Sequence, residues 1–432
     1  MQVLKNYYKN QKFVDIAISL LILAFGISFY FSISMAIADT GAYEKINLLF
    51  DYDVPWYLDV LGRAPESWNV LEPMSRETIW LKHPLIYLFY WIGLPLKLFG
   101  LTEVESAIAL VSTASGCTLV LIYNISRVIG SNSIFSIAVT SLYAFSGSTL
   151  LTAGMPEAYP LVILFAVAQI QVLVLAVYKS YYVPLWVRSF LGVMGAGTTL
   201  FFFAFFVLIE IAIHFEKNGR HFDLTQLIKV DFRRNIAWFM FLFSIVFIIV
   251  YWKSLGSVLH DPFQTAKKVV WAVNQNGDKQ NILVVLKSFF VYPFILSNPE
   301  VFVFGKEKII DYRSFNYDFL QVMVWLCFLS LIFYGYVKTF KENITLLSVI
   351  LIWFVFVVLF HLQYQYRGSI FMYAPHHWFL TVIPLMILGK ERSSQKKIFI
   401  LLLLLLIIVI LYASNLTVSF PRLMNLVHSY NT

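Results

Sequence analysis

Cysteine and charge are both scarce in this chain. Cysteine occurs twice in 432 residues, at Cys117 and Cys327, and charged residues make up only 13%. Two cysteines, each inside an apolar run, exclude a disulfide framework and a cysteine metal cluster. So little charge excludes an ordinary soluble composition, in which about a quarter of residues are charged. No P-loop or dinucleotide glycine pattern is present, and the pair His376–His377 has none of the H-E-x-x-H arrangement. The net charge of +8 could suit nucleic acid, but the basic residues gather between apolar segments, where membrane topology explains them better.

What the chain has instead is apolar length. Hydrophobic residues make up 59%, with 41 Phe and 25 Tyr. Long apolar runs cover 16–37, 134–151, 161–177, 200–213, 236–251, 319–337, 344–360 and 398–411. Several approach the roughly 20 residues that cross a hydrocarbon core of ~30 Å. The expected class is an all-α polytopic membrane protein with about eleven transmembrane helices, between about ten and thirteen. The first run follows Lys5, Lys9 and Lys12. It is too long for a signal-peptide core and is followed by no small-x-small cleavage site, so it reads as a retained span.

Charge bias orients the spans. Lys338 and Lys341 form one basic turn, and Lys390, Arg392, Lys396 and Lys397 another. The segment 215–235 carries Lys217, Arg220, Lys229, Arg233 and Arg234. With the N-terminal lysines, these read as cytoplasmic. The segment 36–82 is different, with eight acids against four bases, and is expected on the outer face as a large first loop carrying juxtamembrane helices. Residues 83–100 hold Pro84 and Pro95 and allow two topologies. If they lie along the interface, 134–151 runs outward, "TAGMPEAYP" is outer, and 182–214 holds two short crossings. If they cross, 190–214 is one span and "PEAYP" faces inward. The first arrangement is preferred. Residues 252–316 and 361–378 are then further outer loops, and 282–296, broken by Lys287 and Pro293, suits a helix on or dipping into the membrane. The chain divides into 1–235, containing outer loop 36–82, and a C-terminal membrane region, 236–432.

Four polar clusters fall on the expected outer face. Asp51 and Asp53 share one face if extended, and stand about 200° apart if helical. A carboxyl group near an apolar interface gains proton affinity and can serve as a general base; a solvated acidic loop accounts for the same residues. Lys82 and His83 precede a proline-initiated apolar helix, which suits either phosphate binding or an interfacial anchor. Glu157 stands between two prolines at a span boundary, either exposed or facing a cavity where it would position a hydroxyl. In "YQYRGSIFMYAPHHW", Arg367 offers a planar fork for phosphate. Tyr364, Tyr366, Tyr373, His376, His377 and Trp378 offer a polar aromatic lining, or else an aromatic belt.

The order of these features resembles the GT-C class of integral-membrane glycosyltransferases, and in particular bacterial members with an F-D-x-D-V-P segment followed by K-H-P-L. Here those are Phe50–Asp51–Tyr52–Asp53–Val54–Pro55 and Lys82–His83–Pro84–Leu85. The likeness covers the chain up to about residue 235. It implies transfer of a sugar from a polyprenyl-phosphate donor to a cell-envelope glycan or lipid acceptor, with inversion, on the outer face of a bacterial inner or plasma membrane. It makes Asp53, and next Asp51, the catalytic acid of the first loop. It matches His83 to the histidine of the H-P element and Glu157, loosely, to a polar residue opening a later span. Lys82, Arg367, Tyr364 and His376 are assigned to substrate or phosphate binding on their chemistry alone. The expected partners are the lipid-linked sugar, the acceptor and membrane lipids, with no nucleic acid. No cofactor is required by the sequence, no metal ligand is assigned, and a divalent metal would be compatible. Two alternatives stay open: a lipid-linked polysaccharide polymerase or ligase, and a transporter or flippase. The last would favour internal repeats and polar elements at mid-membrane, and the clusters here lie at span ends.

Overall fold

The structure, a computed structural model, describes residues 2–45, 48–50, 53–62, 83–220, 230–251, 282–304, 307–312, 317–363, 373–390 and 394–431. Of the expected site residues, Asp51, Lys82, Tyr364 and Arg367 lie outside these.

Helices dominate. In order they are α1 (Gln2–Ala38), α2 (Val54–Gly62), α3 (Leu88–Leu98), α4 (Glu103–Ile129), α5 (Ser133–Ala144), α6 (Gly147–Thr152), α7 (Ala158–Lys179), α8 (Leu185–Thr198), α9 (Phe202–Lys217), α10 (Val230–Tyr251) and α11 (Ile282–Phe290). After strands β1 (Glu300–Phe304) and β2 (Glu307–Asp311) come α12 (Phe319–Thr339), α13 (Ile344–Gln363), α14 (Pro375–Thr381), α15 (Ile383–Leu388), α16 (Ser394–Leu411) and α17 (Phe420–Asn431). Among the described residues six helices are long and apolar enough to cross a membrane: Phe13–Ala38, Glu103–Ile129, Ala158–Lys179, Phe319–Thr339, Ile344–Leu362 and Ser394–Tyr430. The chain is a mostly helical protein of polytopic membrane type.

The helices share two opposite ends. At one, Arg127 Nε donates to Asp15 Oδ1 at 2.9 Å, and Lys390 Nζ stands 5.5 Å from the centre of the Tyr178 ring. There too Tyr178 donates to Asn343, and Thr345 Oγ1 donates to Glu216 Oε2 at 2.6 Å. These contacts draw the basic turns together. At the other end are the described parts of the acidic first loop. Ser34 Oγ donates to the Gly154 carbonyl at 2.6 Å, and Lys45 Nζ donates to the Tyr430 carbonyl at 3.1 Å.

The expectation of an all-α protein needs one correction. β1 and β2 form an antiparallel hairpin within the expected outer loop 252–316. Its sequence, "EVFVF" and "EKIID", is β-branched and aromatic rather than helix-forming. The hairpin reaches the first loop: Leu49 bridges Ile310 in parallel, and the Phe50 ring stacks on Tyr312 at 5.4 Å. Residues of 1–235 and 236–432 contribute to one continuous apolar core.

Residues 83–100 form a turn and the 11-residue helix α3. Eleven residues rise only about 16 Å, half of a hydrocarbon core. Residues 182–214 fall into two helices, α8 and α9, which turn at Thr199–Phe201. Gly197 lets the H-P-L turn approach: Leu85 N donates to the Gly197 carbonyl at 2.6 Å, and a Cβ on Gly197 would meet Leu85 Cδ1 at 2.2 Å. Asn415, which fits a glycosylation pattern in "NLT", is fully buried. It ties three backbones together: its amide donates to the carbonyls of Phe145 and Phe294, and its oxygen accepts from Leu296 N.

Candidate functional site

The candidate site is assembled where α2, α7, the α8–α9 turn and α14 meet. Asp53 precedes α2, and its carbonyl accepts from the backbone of Trp56 and Tyr57, opening the helix. Glu157 has extended backbone and opens α7, where its Oε2 accepts from Ala158 N at 3.1 Å. Its other oxygen, Oε1, accepts from Asp53 N at 3.2 Å. Glu157 is only 3% exposed, which settles the sequence alternatives for this residue in favour of an inward-facing acid. The Tyr57 hydroxyl hydrogen-bonds the same carboxyl group. Burial, and next the charge of Asp53, push the Glu157 proton affinity well above the ordinary carboxyl range. The two acids therefore form one coupled pair, in which the charge of Asp53 raises the proton affinity of Glu157.

Tyr57 also links this pair to His83: their rings meet edge to face with centroids 5.7 Å apart. His83 Nδ1 lies 2.6 Å from the Thr198 carbonyl and 3.2 Å from Thr199 Oγ1. A carbonyl only accepts, so Nδ1 carries the proton and Nε2 is the ring's acceptor in the neutral form.

The turn that holds His83 continues into Phe201 and Phe202, which pack on His376 with ring centroids 5.4 Å away in each case. Tyr159, two residues past Glu157, meets the same imidazole at 5.1 Å. His83 and His361 both lie within electrostatic reach of His376. Neither ring nitrogen of His376 has a hydrogen-bond partner among the described residues, although the residue is only 4% exposed. A buried polar atom in that state costs about 1–3 kcal/mol. Each neighbour in "HHW" makes one hydrogen bond, and His377 Nδ1 likewise has no partner among the described residues. His377 Nε2 faces the Phe289 carbonyl at 3.1 Å, and Trp378 Nε1 donates to Ser146 Oγ at 2.6 Å.

The structure therefore brings Asp53, His83, Glu157 and His376 into one neighbourhood. Tyr57, Thr198 and Thr199 join them without having been picked out by sequence. Tyr57 had a signal, since it stands one helical turn after Asp53. Thr198 had none, because it contributes a backbone carbonyl. Among the described residues, no three His, Cys, Asp or Glu side chains are grouped to hold a metal ion.

No known relative decides what this neighbourhood does. No protein-family model matches the chain, and no curated protein matches it.

Proposed function

We propose that the chain is an inverting glycosyltransferase of the GT-C kind, taking a sugar from a polyprenyl-phosphate donor at the outer face of a bacterial plasma membrane. The observation that carries this reading is the shared neighbourhood of a first-loop acid, Asp53, a buried acid, Glu157, and two histidines, at the end of the helices remote from the basic turns. In this reading the helices cross between these ends eleven times. Six are the long helices above, and the other five are α5–α6, α8, α9, α10 and α14–α15. In this arrangement α3 lies along the interface. The basic turns face the cytoplasm.

In the transfer, Asp53 accepts the proton of the acceptor hydroxyl as that oxygen attacks the anomeric carbon. The bond from that carbon to the phosphate oxygen breaks on the opposite face, and the lipid phosphate leaves with the electron pair. Glu157 fixes the Asp53 backbone by accepting from its N–H. His83 and His376 stand as hydrogen-bonding groups for the donor. Lys82, Arg367 and Tyr364 keep their proposed part in phosphate or sugar binding on chemistry alone, and Asp51 its supporting one.

Purified protein with a labelled polyprenyl-phosphate sugar tests this. Asp53→Asn is expected to lower turnover by about 10²–10⁴ while the fold and donor binding are kept. Undiminished turnover removes Asp53 from the reaction.

A further inference from the structure

A second feature of the described residues is a groove on other elements, α12 and α16. It holds about 670 Å³ and is lined by Leu326, Cys327, Leu331, Phe399, Ile400 and Leu403, with Tyr334 and Lys396 at one end. Its volume is typical of a ligand site, yet almost all of its wall is apolar.

Its depth is informative. On α12 the lining runs from Leu326 to Tyr334, and on α16 from Gln395 to Leu403. Each is about 12 Å of helix rise, close to the ~15 Å of one leaflet. The groove begins at the basic turns and stops near mid-membrane. Phe333, Leu402 and Leu406 beside it are exposed, as expected of a surface that faces acyl chains rather than water.

Its lysines stand at one end. Lys396 lines the mouth, and Lys338 Nζ stands 5.4 Å from the centre of the Tyr334 ring, which lines it too. Lys397 follows Lys396 in the first turn of α16. The shallow end therefore carries cations at headgroup level, and the deep end is hydrocarbon-like. Basic pockets between spans on the cytoplasmic side favour anionic headgroups.

We propose that this groove is a binding site for an anionic glycerophospholipid of the inner leaflet, with one acyl chain between α12 and α16 and the phosphate against Lys338 and Lys396. Only the membrane reading of the chain is needed, so the site stands or falls separately from sugar transfer.

Native mass spectrometry of the full chain in neutral detergent, titrated with phosphatidylglycerol or phosphatidylcholine, tests it. One phosphatidylglycerol should be retained roughly tenfold more tightly than phosphatidylcholine. The double variant Lys338→Gln/Lys396→Gln should lose about tenfold for phosphatidylglycerol and little for phosphatidylcholine. Ser330→Trp, which fills the groove wall, should weaken both lipids. Millimolar inorganic phosphate should displace neither. Equal retention of the two lipids, a preference that survives the lysine variant, or displacement by free phosphate overturns the proposal. The lysine variant changes only groups at the membrane boundary, so the test does not depend on Ser330→Trp folding.

Discussion

At the scale of single residues, Glu157 concentrates the physics of the site. Its two oxygens each accept a backbone N–H, from Asp53 and Ala158. Glutamine keeps the shape but offers only one accepting oxygen, so Glu157→Gln should cost about 1–3 kcal/mol. It should also change the pH response. The folded chain holds the Glu157 proton above the ordinary value of 4.5. This contribution to stability is therefore fully present below that value and is lost as pH rises through the raised, folded one. Thermal unfolding of the wild type should fall across that window, and the glutamine variant should show a flatter profile. Asp53, His83 and Glu157 were legible in the sequence because each is a polar side chain at the end of an apolar run. His376 and His377 were not separable there: they are adjacent and chemically identical, and only packing turns one toward Tyr159 and the other toward the Phe289 carbonyl.

At the scale of elements, the α8–α9 pair holds the His83 turn, and two contacts position it. Near the other end of the pair, Arg188 Nη1 meets Glu210 Oε2 at 2.8 Å, with side chains 15% and 1% exposed, and Asn235 of α10 donates to the same oxygen. Removing one partner of a buried pair strands the other charge. Glu210→Ala should therefore cost about 3–5 kcal/mol, whereas Arg188→Met combined with Glu210→Leu should be near neutral; unfolding of the two variants beside the wild type checks this. At the turn itself, Gly197→Val would drive its side chain into Leu85 and shift His83, two residues earlier. A displacement of about 1 Å can cost 10²-fold in rate, so transfer should drop by that order while helix content is retained. The α8–α9 division was legible only as the preferred of two topologies: two short helices between the basic segments follow if 83–100 lies along the interface, and one span if it crosses. The β1–β2 hairpin was not, because two five-residue strands inside a long loop give a weak periodic signal beside helices of 20 residues or more.

At the scale of the whole molecule, the chain has two chemically distinct ends, and this makes sidedness measurable. Single cysteines at Asp59 and Tyr430, introduced after replacing Cys117 and Cys327 with serine, should react with a membrane-impermeant maleimide from one side of a sealed vesicle. Cysteines at Lys338 and Lys390 should react from the other. Mixed labelling would break the eleven-pass arrangement. The bridge from Leu49 to Ile310 carries a consequence in time. The backbone just before Asp53 is fastened by a residue made about 260 positions later. At ~5–20 residues per second of synthesis, that is a delay of roughly 13–50 s. Through that interval, in which the helices α2 to α11 are made, the acidic loop stays unfinished. Its eight carboxylates oppose entry into the lipid while it waits. The acids that take no part in the site thus have work to do before the site exists.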